Sequence, residues 1–182
     1  MGAPDGIDYR PLSPAELSLV GEIDRTEYID ALYVQHGTRL ELRRGRFDAP
    51  PWRREGSGEH SVAAQVAAAE AYVGAGGVAI GAFDGDRLVG IGIVLPHVRP
   101  AVAQLAYLHV GSGHRGFGVG GRLAAELERI ARASGDRSLV VSATPSLNTV
   151  QFYERRGFRP MAEPLPELYE LEPEDVHMEK AL

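Results

Sequence analysis

Apolar and polar positions along residues 77–110 fall into short β-rich runs separated by turn residues. The stretch "GVAIGAFDGDRLVGIGIVLP" holds two such runs around Asp84-Gly85, a dipeptide suited to the tight turn of a hairpin. After Pro96 and Pro100, "AVAQLAYLHV" supplies a third run, so the pattern predicts a three-stranded antiparallel meander. A different spacing governs residues 61–73, where Val62, Val66, Ala69 and Val73 recur at helical intervals before Gly74, Gly76 and Gly77. Leu123, Leu127, Ile130 and Ala131 mark one face of a second helix that ends near Gly135. The tail reads as a buried strand "SLVVSAT", a short helix "SLNTVQFYERRGF" closed by Gly157, and a last strand "EDVHMEKAL".

The N-terminal part is less regular. "IDYRPLSP" reads as a strand broken by Pro11 and Pro14, with Ser13 capping a brief helix through Val20. In "TEYIDALYVQHGTRLELRR", Thr38, Leu40 and Leu42 alternate with Arg39, Glu41 and Arg43, which predicts a hairpin turning at His36-Gly37. "RGRFDAPPWRREGSGEH" has no period and reads as a surface loop. A strand-helix-strand crossover makes its strands parallel, so the tail turns an otherwise antiparallel sheet into a mixed one. The expected class is α/β (α+β): one domain over 1–182, with a mixed, mostly antiparallel sheet, flanking helices and an extra N-terminal hairpin.

Composition narrows the chemistry. At 182 residues, 44% hydrophobic and 24% charged, the chain matches an ordinary globular domain. Its net charge of −6 disfavours nucleic acid, whose phosphates demand clustered Lys and Arg. The absence of cysteine removes disulfides, thiolate nucleophiles and Cys-ligated zinc, and fits a cytoplasmic protein. No leader-like or membrane-spanning pattern is read in the sequence. The six histidines lack metal-ligand spacing, so no metal is expected.

The stretch "LHVGSGHRGFGVGGRL" carries the strongest chemical signal. It contains two overlapping G-x-G-x-x-G patterns, Gly111/Gly113/Gly116 and Gly116/Gly118/Gly121, which on their face suggest a dinucleotide site. A helix starting near Gly113 would carry four further glycines in its opening turns, at about 1 kcal/mol each relative to Ala. "SLVVSAT" also ends without the carboxylate that such a site places against a ribose. The alternative starts the helix at Gly118 to Gly120 and leaves Arg115–Gly120 as a loop of inward-pointing amides. Such a nest binds a pyrophosphate, aided by the positive end of the helix and by Arg115 and Arg122.

In this second reading, Arg115-Gly116-Phe117-Gly118-Val119-Gly120 resembles the R/Q-x-x-G-x-G/A loop of the GNAT superfamily of acetyltransferases. "LHV" before it and "NTVQFYERRGF" after it resemble the flanking signatures of that family. The resemblance covers residues 77–161, the expected acetyl-CoA-binding core; residues 13–58 are the variable acceptor side, where a hairpin departs from the helices usual in the family. It implies an N-acetyltransferase that moves an acetyl group from acetyl-CoA to a primary amine by direct attack in a ternary complex. The implied cofactor-binding residues are Leu108, His109, Val110, Arg115, Gly116, Phe117, Gly118, Val119, Gly120, Gly121, Arg122 and Asn148. A bulge at Val110 would aim its N–H at the thioester oxygen. Tyr153 matches the family's general acid toward the departing thiolate.

Each of these residues has a plainer reading. Tyr153 beside Phe152 on an amphipathic helix suits a core position, Asn148 suits a helix cap, and Trp52 suits a hydrophobic anchor. The base for the acceptor amine is the gap: Gln104 holds no useful proton site, and His109, Glu27, Asp30 and Glu41 are the titratable candidates. Glu22, Asp24, Glu27 and Asp30 cluster on the acceptor side and suit a small cationic amine such as a polyamine, an aminoglycoside or a streptothricin, or else form a solvated face. Rival readings are a non-catalytic acetyl-CoA sensor and, more distantly, a dinucleotide-dependent oxidoreductase. The oligomeric state, a homodimer included, is left open.

Overall fold

The structure, a computed structural model, describes residues 6–182. Met1–Asp5, part of the segment read as free of a leader, lie outside the described residues. Strand β1 (Ile7–Pro11) is followed by a 3-10 helix (Pro14–Glu22) whose start is fixed by Glu16 accepting from the Ser13 amide at 2.9 Å and its hydroxyl at 2.8 Å. The predicted hairpin forms as β2 (Ala31–His36) and β3 (Arg39–Arg44). Its turn is Gly37-Thr38 rather than His36-Gly37, because His36 pairs across with Arg39 and Gly37 takes the positive φ of 59°. Helix α1 (Val62–Gly74) begins where Ser61 accepts the Ala64 amide, and it buries Ala69 against Leu17 and Val20.

The meander is β4 (Val78–Asp84), β5 (Arg87–Arg99) and β6 (Val102–Val110). Strand β5 continues through Pro96, which was expected to end it. Helix α2 (Val119–Ala133) follows the glycine stretch and buries Leu123, Leu127 and Ala131 against the sheet. Then come β7 (Ser138–Ala143), α3 (Leu147–Glu154), β8 (Arg159–Pro160), α4 (Pro166–Leu171) and β9 (Val176–Ala181). The two-residue strand β8 and the six-residue helix α4 are too short to show a period and were not anticipated.

Seven strands form one sheet in the order β1-β4-β5-β6-β7-β9-β8. Among the described strands, only β6 and β7 pair in parallel. That arrangement confirms the mixed, mostly antiparallel class and excludes the doubly wound parallel sheet of the dinucleotide reading. One core lies between the sheet and α2 with α3; a second lies under α1 and the 3-10 helix. The β2–β3 hairpin stands apart from the sheet and docks on its C-terminal edge. Tyr33 donates to the Pro145 carbonyl at 2.8 Å, and the Gln35 amide bridges the Met161 and His177 carbonyls. No helix of the described residues is long and apolar enough to cross a membrane.

Candidate active site

Strands β6 and β7 pair only from Val102 to Gln104 against Ser138 to Val140, and then separate. The cause is local. Opposite Ile93 and Val94 of β5, strand β6 presents Tyr107 and Leu105, so Ala106 is an inserted residue that bends the strand away from its parallel partner. The bulge therefore sits at Ala106, not at Val110. Register along β5 decides its place, and no single-strand pattern reveals register. The Val110 amide still points away from β5. Gly111 donates to Val89 across β5, so the alternation of an antiparallel pair turns the Leu108 and Val110 amides toward the open side, facing the gap.

On the α2 side of this V lies a cavity of about 380 Å³. Its floor is the glycine loop. Gly118, at φ 87°, caps α2, and Gly116 turns the chain at φ 82°; both occupy the left-handed region that side chains avoid. The helical ladder begins with the Arg122 amide on the Gly118 carbonyl, leaving the amides of Val119, Gly120 and Gly121 without a helical acceptor. A Cβ on Gly120 would stand 3.3 Å from the Phe152 ring, and one on Gly121 would collide with the Arg156 guanidinium. The loop is thus a bare backbone cradle at a helix N-terminus, which fits a pyrophosphate.

Other parts of the expected cradle are placed differently. Arg115 is committed to the fold: its three guanidinium nitrogens donate to the carbonyls of Val110, Thr26 and Arg25 at 3.0, 2.9 and 2.9 Å. Arg122 packs over the Tyr9 ring at 4.9 Å and does not line the cavity. Val119 is buried in the core, and Phe117 also lies off the lining, so both contribute only main chain. Arg155 and Arg156, from the "ERRGF" end of α3, join Arg115 in the lining; Arg156 rests 3.6 Å over Phe152. Asn148 lines this cavity and donates to Glu27 at 3.3 Å. The cap of α3 is Ser146, which accepts the Thr149 amide.

A second cavity, of about 360 Å³, opens on the other side of the V. It shares Glu27, Leu108, Val110, Arg115, Thr149 and Tyr153 with the first. Four carboxylates line it: Glu27, Glu59, Glu172 and Asp175. Of the acidic wall read from the sequence, only Glu27 is present. Glu22 accepts the Leu88 amide at 2.9 Å, and Asp24 is tied to Thr26 and Ser112, whose hydrogen bonds hold its carboxyl at about 2. Asp30 is exposed off the cavity, and Glu41 faces His36 and Arg43 on the hairpin surface. Glu59 and Glu172 come from segments without periodicity and Asp175 from the start of the expected last strand, so nothing in the sequence pointed to their convergence.

The titratable groups divide by environment. Tyr153 is 4% exposed, and burial raises its phenol above the ordinary value, with nearby Asp175 adding to the effect. Burial lowers His109 to about 4, helped by the positive charges of Arg25 and Arg115. Its ring lies between Tyr107 and Trp52, with centroids 4.6 and 5.1 Å away, so His109 is held neutral and is a poor proton acceptor. Trp52, 6% exposed and on neither cavity, is an anchor. Burial, then the charge of Glu172, raises Asp175 to about 7.

A backbone anion cradle, a splayed pair of strands and a tyrosine where two cavities meet leave room for two ligands side by side. Residues 41–158 match the model of the acetyltransferase (GNAT) family. The chain belongs to the GNAT acetyltransferase family. It is an acyl-CoA-dependent N-acetyltransferase. Similar solved structures include nourseothricin acetyltransferase, at 17% identity and TM-score 0.71 over 97% of this chain and 98% of that one. A Bacillus anthracis protein assigned as a streptothricin acetyltransferase, solved with acetyl coenzyme A, gives 14% and 0.70 over 97% and 99%. The PaiA N-acetyltransferase of Thermoplasma acidophilum, solved with coenzyme A, gives 16% and 0.63 over 97% and 99%. At these identities they establish the shared fold. No curated protein matches the chain by sequence.

Proposed function

We propose that this acetyltransferase modifies the primary amine of a small cationic acceptor by direct attack within a ternary complex. The observation that carries the reading is the shared wall. Tyr153, Leu108 and Val110 line both cavities, so donor and acceptor can be bound at once with a reacting pair at the junction. The acceptor cavity presents four carboxylates against two guanidiniums, Arg25 and Arg115, both tied to backbone carbonyls, and this excess of acidic groups favours a substrate bearing ammonium groups. The neighbours named for nourseothricin and streptothricin support an antibiotic amine as the first acceptor to try.

Acetyl-CoA supplies the acetyl group as a thioester when bound. The cradle of Gly116, Gly118, Gly120 and Gly121, with Arg155 and Arg156 beside it, would hold its phosphates. The Leu108 and Val110 amides offer strand-like hydrogen bonds along the open edge of β6, and the Val110 N–H is the donor for an oxygen gaining negative charge. Tyr153 keeps its proton throughout the physiological range and offers it at the junction. This co-substrate use fits a cytoplasmic setting. The test is thiol release from acetyl-CoA with streptothricin, kanamycin and spermidine as acceptors, against glycine and glutamate as controls. Turnover confined to the polycationic amines supports the reading; release only with the controls, or with none, overturns it.

A further inference from the structure

The acceptor amine enters as an ammonium and must lose a proton before its nitrogen can attack, yet each base named from the sequence is too weak, already partnered or outside the cavity. His109 is held neutral between aromatic rings, Asp30 and Glu41 lie outside the cavity, and Glu27 is occupied by Arg115 at 3.6 Å and by Asn148 at 3.3 Å. Asp175 is different. It immediately precedes β9, whose Val176 pairs with Ala143, so it stands beside Thr144 at the mouth of the V. It lines the same cavity as Tyr153, and also a neighbouring cavity beneath the hairpin, lined by Tyr33, Phe47 and Tyr169. Buried Gln104, 6% exposed, lines the acceptor cavity too, and its amide forms no side-chain hydrogen bond to the described residues, leaving it for a ligand. We propose that Asp175 is the catalytic residue that takes the proton from the acceptor's ammonium group.

This rests on the acetyltransfer reading above. In the balanced step, one ammonium proton passes to the Asp175 carboxylate and frees the nitrogen lone pair. The C–N bond then forms as the C–S bond breaks. The thiolate leaves with the Tyr153 proton, the second nitrogen proton restores Tyr153, and Asp175 returns its proton to solvent. The products are the amide, CoA thiol and one released proton. The titratable groups that share its two cavities are Glu172 after α4, Glu59 before α1, Tyr72 on α1, Tyr153 on α3, Tyr107 and His109 on β6, Arg25, Glu27 and Arg115 across the V, and Tyr33, Arg43, Tyr169, Glu174 and His177 on the hairpin side. Partial burial, then the charge of Glu172, favours its protonated form, and Asp175 lies at about 7, so it accepts and returns a proton near neutrality.

The test compares wild type with Asp175→Asn and Asp175→Glu, using streptothricin, kanamycin and spermidine. In wild type kcat should rise with pH through an acidic limb near 7. Asp175→Asn should lose that limb and about a hundredfold or more in kcat. Asp175→Glu should recover part of the rate with the limb displaced. A readout free of turnover accompanies these. The thermal stability of Asp175→Asn, without substrate, should exceed that of wild type increasingly from pH 4 to 7 and then level off. A variant that keeps both limb and rate while wild type turns over overturns the assignment and leaves the acetyltransfer reading intact. No turnover by wild type with any of the amines overturns both.

Discussion

Arg115 lies 3.6 Å from the Glu27 carboxylate while its guanidinium holds the carbonyls of Arg25, Thr26 and Val110. One side chain thus fastens the residue 25–27 segment to the end of β6 and to the glycine loop. Three charge-assisted bonds make Arg115→Ala costly, on the order of 3 kcal/mol, or roughly 5–10 °C in Tm. Arg115→Lys should rescue little, because one ammonium cannot span three carbonyls. Thermal melts check both, and acetyl-CoA affinity should fall along with stability.

In the proposed reaction Tyr153 contributes a proton and not a binding contact. Tyr153→Phe should lower kcat about ten- to a hundredfold while acetyl-CoA binding, measured by calorimetry, stays within a factor of two. A loss confined to binding would assign the ring a packing role only.

The glycine cradle should respond position by position. Gly118→Ala forces a side chain into the left-handed region at the cap of α2, costing about 1–2 kcal/mol. Gly121→Ala leaves the backbone unstrained but displaces Arg156, so it should weaken acetyl-CoA binding several-fold with little change in Tm. Paired calorimetry and melting curves separate the two effects.

His109 has a folded-state value of about 4 against an unfolded value near 6.5. Between those values the unfolded chain holds the extra proton, so this contribution to stability is complete above about 6.5 and is lost as pH falls toward 4. His109→Gln should flatten that part of the Tm profile. It should leave the acidic limb of kcat in place, since in the proposed reaction that limb belongs to Asp175.

The acceptor cavity's charge should appear in KM. Glu59→Gln and Glu172→Gln should each raise the KM for a polycationic amine several-fold at low salt, and added salt should shrink the difference. Neutralising Glu22 or Asp30, which lie off the cavity, should change nothing.

Much of this fold was legible because local signals agreed with it. The hairpin at Asp84-Gly85, whose turn is Gly85-Asp86 because Asp84 pairs with Arg87, the apolar stripe of α2 and the glycine cap at Gly118 each follow from short-range chemistry, and the meander and cradle follow from them. Properties set by pairing were hidden. The bulge at Ala106 depends on the register of β5, and the commitment of Arg115 depends on carbonyls some ninety residues away in sequence. The acceptor carboxylates were hidden for the same reason. Glu59 lies in a loop, and Glu172 and Asp175 follow a helix too short to show a period; only tertiary packing gathers them beside Tyr153.

Thiol release from acetyl-CoA, followed with wild-type protein and the streptothricin, kanamycin and spermidine set, tests the central claim most directly. Stoichiometric release with mass-verified N-acetylation of at least one polycationic amine, and none with glycine or glutamate, is the expected result. Release that is independent of any amine, or an acetylated product only from the uncharged or acidic controls, would contradict it.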